Sequence, residues 1–202
     1  MKVFYLDAKN PDLATIDKAA KIVREGGLVA FPTETVYGIA VSAKKPETIQ
    51  KLYELKKRAV DKPYSYHFGS LEQFFLFSGN INDKLKSFFN HFCPGPITVV
   101  YYDDIKKKKL GIRIPNHKTA SLFLEKCDCP VFAPSANPSS KKSPTTSQEV
   151  ISYFENKIDA VLDAGPCDFG KDSTVVETDG NKYKILRHGA VTEAKIKEFL
   201  DS

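Results

Sequence analysis

Apolar residues recur at helical spacing along residues 12–25, where Leu13, Ile16, Ala20 and Val23 share one face and Gly26-Gly27 supplies the stop. The same reading predicts helices at 46–57, opened by Pro46, and at 71–77, 82–92, 118–126, 147–156 and 192–201. Short apolar runs predict strands at 28–31, 64–68, 97–102 (ITVVYY), 110–114 (LGIRI), 130–133 (PVFA), 159–163, 174–178 (TVVET) and 182–187. Helices and strands interleave throughout, which argues for an α/β fold with a mixed sheet covered by helices. There is no internal repeat and no long linker. Residues 1–202 therefore read as one domain, long enough to bury a continuous core.

The pattern breaks at strand ends. After Leu28-Val29-Ala30-Phe31 the chain continues PTETVYG, crowding two threonines, a glutamate and a tyrosine between a proline and a glycine. Four other segments run from an apolar stretch into hydroxyls, proline and glycine: Cys93-Pro94-Gly95-Pro96-Ile97-Thr98, Gly111-Ile112-Arg113-Ile114-Pro115, Ala133-Pro134-Ser135-Ala136-Asn137 and Asp172-Ser173-Thr174. Any one of them is an ordinary turn. Five together point to a ligand site at the ends of sheet strands.

Composition narrows the picture only a little. The hydrophobic fraction is 42%, and no apolar run approaches the roughly 20 residues of a membrane span. The start MKVFYLDAKNPD lacks the apolar core of a signal peptide, so a cytoplasmic, membrane-free protein is expected. Four cysteines and four histidines form no metal-ligand pattern, and no protein-held metal is expected. The net charge of +5 is compatible with anionic partners. More telling, a lysine-rich chain keeps only four arginines, Arg24, Arg58, Arg113 and Arg187, and three of them fall in the unusual stretches. A guanidinium binds carboxylate or phosphate with a two-pronged fork that lysine lacks.

Two runs carry less than they promise. Gly165 to Lys171 matches the first seven positions of a phosphate-binding P-loop, but Asp172 stands where a Ser or Thr should hold magnesium, and Thr174-Val175-Val176 favours a strand over the required helix. Asp103 to Lys109 reads as a solvated loop joining two strands, with one lysine able to reach a phosphate, and residues 137–145 resemble a flexible lid.

Taken in order, PTETVYG, the K-x-R of Lys56 and Arg58 with Pro63 and His67 following, PGPIT, GIRIP, APSAN, SPT, DSTVVE and Leu186-Arg187-His188-Gly189 resemble the YrdC-like family of threonylcarbamoyl-AMP synthases over about residues 10–200. The resemblance implies a twisted, open mixed sheet with helices and a concave, positively charged face, in the short single-domain form. It implies that L-threonine, bicarbonate and ATP, with Mg2+ accompanying the nucleotide, give L-threonylcarbamoyladenylate and pyrophosphate. A tRNA threonylcarbamoyl-transferase complex would then pass the group to adenosine in tRNA. By the same resemblance Thr35, His67, Arg113, Ala133 and Ser173 match positions that hold threonine. Arg58, Lys62, Lys109, Ser135, Asn137, Ser143 and Arg187 match positions that hold ATP, and Lys56 with Arg58 forms the catalytic pair. Ala59, Tyr64, Cys93, Ser140 and His188 depart from the usual pattern. Ser140 bears on the lid, because a position with positive φ resists serine. Two other readings stay open at this stage: a double-stranded RNA-binding module, and a paralogue with a different carbamoyl or adenylyl reaction.

Overall fold

A computed structural model describes residues 1–201. Its described residues form ten strands and seven helices, in the order β1 (Lys2–Tyr5), α1 (Leu13–Arg24), β2 (Val29–Phe31), β3 (Gly38–Ser42), α2 (Pro46–Lys56), β4 (Tyr66–His67), α3 (Leu71–Ser78), α4 (Asp83–Phe92), β5 (Ile97–Asp103), β6 (Lys108–Arg113), α5 (Lys118–Lys126), β7 (Val131–Phe132), α6 (Ser147–Phe154), β8 (Ala160–Asp163), β9 (Thr174–Thr178), β10 (Tyr183–Arg187) and α7 (Glu193–Asp201). The strands make one open mixed sheet in the order β1-β8-β2-β3-β7-β4-β6-β5-β9-β10. No helix among the described residues is long and apolar enough to cross a membrane.

The helices follow from their caps and faces. Asp12 accepts the Thr15 N–H at the start of α1, Ile16, Ala20 and Val23 turn inward, and Gly26 leaves the helix at φ +95. Thr146 and Glu149 form a reciprocal capping box on α6. Strands β2 and β8 run parallel and are apolar at nearly every position because helices cover both faces. Three apolar clusters result: one between the sheet and α1 with α5, one rich in phenylalanine under α3, α4 and α7, and one under α2 and α6.

The structure differs from the sequence reading in four places. Strand β1 is a four-residue edge strand with no burial alternation, so nothing in its pattern marks it. Strand β3 pairs antiparallel with β2, which makes PTETVY the connection of a hairpin. The apolar run 64–68 keeps only Tyr66 and His67 as strand. The basic run at 103–109 is largely exposed and joins two strands, as expected, but it is a tight hairpin turn whose ends belong to β5 and β6. Asp103 is buried and accepts the N–H groups of Ile105 and Lys106, while Lys106 donates to the Phe77 carbonyl and lies 4.3 Å over its ring. The P-loop match is dismissed as expected, since Gly170 is followed by bends and then by β9.

Segment 137–145, expected to resemble a flexible lid, is tied down by hydrogen bonds. Ser139 N–H donates to the Lys56 carbonyl, the Asn137 amide donates to the carbonyls of Pro138 and Lys141, and the Pro144 carbonyl accepts from Tyr37 N–H. Ser140 sits at φ +72, the left-handed region in which a Cβ is strained.

Candidate functional site

Sheet register brings the polar strand ends together. Thr98 at the start of β5 is paired with Arg113 at the end of β6, Ile97 with Thr174 at the start of β9, and His67 at the end of β4 with Arg113. Arg187 ends β10 opposite Val175, and Gly38 bridges to Ser135. Around these ends lies a cavity of about 490 Å³.

Nine of the thirteen residues singled out from the sequence line it: Thr35, Arg58, His67, Lys109, Arg113, Ala133, Ser135, Ser173 and Arg187. Lys56, Lys62, Asn137 and Ser143 do not. Lys56 is 3% exposed, and its ammonium donates to the backbone carbonyls of Ser135 and of Asn137, the latter at 2.6 Å. Burial, then the Arg58 charge, push its pKa down to about 8. It thus clasps the S-x-N segment to the end of α2. Lys62 is exposed and contributes its carbonyl, which accepts from Arg58 Nε at 3.0 Å. Asn137 shapes the turn that follows it, and Ser143 donates to Asp172 at 3.1 Å.

The inner end of the cavity is buried and tightly bonded. Arg113 and Glu34 form an ion pair at 2.9 Å with both side chains almost fully buried, and the same guanidinium nitrogen donates to Thr35 Oγ1 at 3.1 Å. Arg113 Nε has no partner, so the fork keeps a donor in reserve. His67 Nδ1 lies 3.2 Å from the Ser65 carbonyl, which can only accept, so Nδ1 carries the proton and Nε2 keeps a lone pair. Burial, then Arg113, push the His67 pKa down to about 3, and the ring is neutral at neutral pH. Ser173 Oγ lies 2.9 Å from Thr98 Oγ1 and accepts from Arg187 at 2.9 Å.

The outer end carries more exposed cations. Arg58 is held by the Lys62 carbonyl and by the face of Tyr64, 5.0 Å from the ring centroid, and Tyr64 in turn stacks on Tyr53 at 4.4 Å. Arg187 grips the Ser173 carbonyl with two nitrogens and lies 3.9 Å from Asp172. Lys109 is exposed and pairs with Glu177. Five basic side chains, Arg58, Lys108, Lys109, Arg113 and Arg187, line the cavity against two carboxylates, Asp172 and Glu177. The arrangement suits a ligand with a small polar head in the inner end and an anionic body outside it.

A family model described as telomere recombination, Sua5/YciO/YrdC, matches residues 21–189. The chain belongs to the Sua5/YciO/YrdC family. A Bacillus subtilis member named threonylcarbamoyl-AMP synthase is 33% identical over 201 residues, covering 95% of this chain and 57% of the relative. The crystal structure of Pyrococcus abyssi Sua5 complexed with L-threonine superposes with a TM-score of 0.92 at 31% identity, over 99% of this chain and 61% of that one. This chain thus spans about half the length of the first relatives it matches. A Methanocaldococcus jannaschii member, 31% identical over 87% of this chain, is matched over 86% of its own length.

On the sequence, Thr33 and Glu34 are weaker candidates than Thr35, whereas Thr98 and Asp172 occur only within motifs and Tyr64 stands out only as a departure from the usual pattern. Glu34 carried a signal: an acid at a buried strand end needs a cation, and only four arginines were available to serve it.

Proposed function

We propose that this chain is an L-threonylcarbamoyladenylate synthase, joining L-threonine, bicarbonate and ATP and releasing pyrophosphate. The observation that carries the reading is the convergence of Thr35, His67, Arg113 and Ser173 at the inner end of a cavity whose outer end holds Arg58 and Arg187. The similarity to a Sua5 structure complexed with L-threonine supports it.

In this reading threonine occupies the inner end. Its amine adds to the carbon of bicarbonate-derived carbon dioxide and loses a proton, giving a carbamate. A carbamate oxygen then attacks the α-phosphorus of ATP, and pyrophosphate leaves. Neutral His67 and Thr35 offer lone pairs to substrate protons without adding positive charge. Two anions must approach each other, and Arg58 and Arg187 offset their repulsion, so the protein contributes positioning and charge stabilisation. Magnesium on the nucleotide would neutralise the phosphates further. Such an ion is usually held by one or two carboxylates plus phosphates, and Asp172, a carboxylate lining the cavity, fits that role. Lys56 and Asn137 act through the S-x-N segment, and Lys62 through its hold on Arg58.

Passage of the product to a tRNA-modifying transferase and a cytoplasmic location belong to the same proposal, as does the reading of residues 1–202 as one domain. Pyrophosphate release from ATP, measured with and without threonine and bicarbonate, tests it. Release should require both, and release independent of either rejects the synthase reading.

A further inference from the structure

A guanidinium is a flat fork of three nitrogens, and it can meet an anion along either of two edges, Nε with Nη2 or Nη1 with Nη2. Which edge a ligand finds depends on what the protein has already taken. In Arg58, Nε donates to the Lys62 carbonyl at 3.0 Å and Nη2 to the Pro63 carbonyl at 3.4 Å, so two consecutive carbonyls lie along the first edge. The next residue, Tyr64, has its ring centroid 5.0 Å from Arg58 Cζ and takes one side of the fork. Nη1 and the remaining N–H of Nη2 have no partner among the described residues, and both Arg58 and Tyr64 line the cavity.

The support under the fork is itself held. Tyr64 is 6% exposed, stacks on Tyr53 of α2 at 4.4 Å and lies 6.2 Å from the Phe132 ring of β7. The Tyr53 hydroxyl donates at 3.2 Å to the same Lys62 carbonyl that accepts from Arg58 Nε. The Tyr64 hydroxyl is buried without a partner, so the ring alone serves the contact.

The other arginines of the cavity are committed differently. Arg113 is paired with the buried Glu34 carboxylate. Arg187 gives Nε and Nη2 to the Ser173 carbonyl and Nη2 also to Ser173 Oγ, which leaves Nη1, 3.9 Å from Asp172. Arg58 has no acidic partner among the described residues. It therefore combines an uncompensated charge with two adjacent free donors, the pattern that two oxygens of one phosphate accept.

We propose that Tyr64 is a positioning residue whose ring, together with the Lys62 and Pro63 carbonyls, presents the Nη1–Nη2 edge of Arg58 as a two-pronged clamp for phosphate oxygens. Only the assignment of those oxygens to the ATP of the synthase reaction rests on the proposed function.

The test is calorimetric binding of ATP, of pyrophosphate and, separately, of L-threonine to the wild type, Tyr64→Leu, Tyr64→Phe, Arg58→Ala and the double variant Arg58→Ala with Tyr64→Leu. Tyr64→Leu keeps an apolar side chain but removes the ring. ATP and pyrophosphate affinity should each fall about tenfold, equivalent to about 1.4 kcal/mol, while threonine affinity stays unchanged. Tyr64→Phe should bind both phosphates as the wild type does. In the Arg58→Ala background, Tyr64→Leu should cost nothing more, because its effect passes through Arg58. NMR of the guanidinium protons of wild-type Arg58 depends on no variant: pyrophosphate should shift the Nη protons and leave the Nε proton on the Lys62 carbonyl.

The proposal is overturned if pyrophosphate leaves the Nη protons unmoved or draws the Nε proton away from Lys62. It is equally overturned if Tyr64→Leu binds pyrophosphate normally, weakens threonine as much as pyrophosphate, or costs as much without Arg58 as with it, or if Tyr64→Phe behaves like Tyr64→Leu. Pyrophosphate release from ATP that needs no threonine would reject the synthase reading and leave the clamp standing.

Discussion

The β2–β3 turn and the loop after α2 bring polar side chains to the same cavity in opposite ways. In the turn, Thr33, Glu34, Thr35 and Arg113 are buried and bonded to one another, with Glu34 Oε2 and Arg113 Nε left unpartnered. In the loop, Arg58 is partly exposed and rests on two carbonyls and an aromatic face. The first region spends stability to hold a fixed pattern of donors and acceptors. The second keeps partly exposed charge available. A buried, prearranged set suits discrimination among small, similar molecules, and a more exposed cationic set suits a polyphosphate whose charge matters more than its outline.

The contrast breaks first at Arg113. Arg113→Met strands the Glu34 carboxylate in the core and should cost about 3–5 kcal/mol in urea unfolding. If it unfolds like the wild type, the inner end is not the rigid half. Arg58→Ala should do the reverse, lowering pyrophosphate formation by about 100-fold or more through lost charge-assisted bonds worth about 1.5–3 kcal/mol each. Its urea midpoint should barely move.

Acid sharpens the same division. His67 has its folded pKa lowered to about 3, below its usual value of 6.5. The unfolded chain therefore binds the extra proton first. His67 contributes stability that is fully present above about pH 6.5 and is lost as the pH falls toward 3, on the order of a few kcal/mol. His67→Gln should flatten the urea midpoint against pH across that window. At the outer end, Lys109→Ala removes a pair whose lysine side chain is 60% exposed, and it should change stability by less than about 1 kcal/mol. A larger loss would mean the outer end is more rigid than its exposure implies.

What the sequence could reveal follows the same division. Helices with strong apolar faces, such as α1 and α4, were legible to within a residue or two because local pattern determines them. Strand β1 was not, since its four residues become a strand only by pairing with β8, more than 150 positions away. The cavity-lining residues at strand ends were marked by dense polar motifs. Lys56 was not readable as a clasp: beside Arg58 it looked like a second free cation, yet its ammonium meets carbonyls 79 and 81 residues further along. Ser140 was flagged as a doubtful fit for positive φ and does occupy it, but the hydrogen bonds that hold its segment join distant parts of the chain.

Strands β4 and β7 contribute two residues each to the middle of a ten-stranded sheet. Everything to either side of them is joined across this sheet by a ladder of two residue pairs per strand boundary. Short ladders open readily, so the amides of Tyr66, His67, Val131 and Phe132 should exchange with deuterium sooner than those of β5 and β9. A ligand seated against His67 and Ala133 spans this narrow join, and its arrival should slow that exchange. Occupancy of the cavity would then be read as a stiffening of the sheet at its waist.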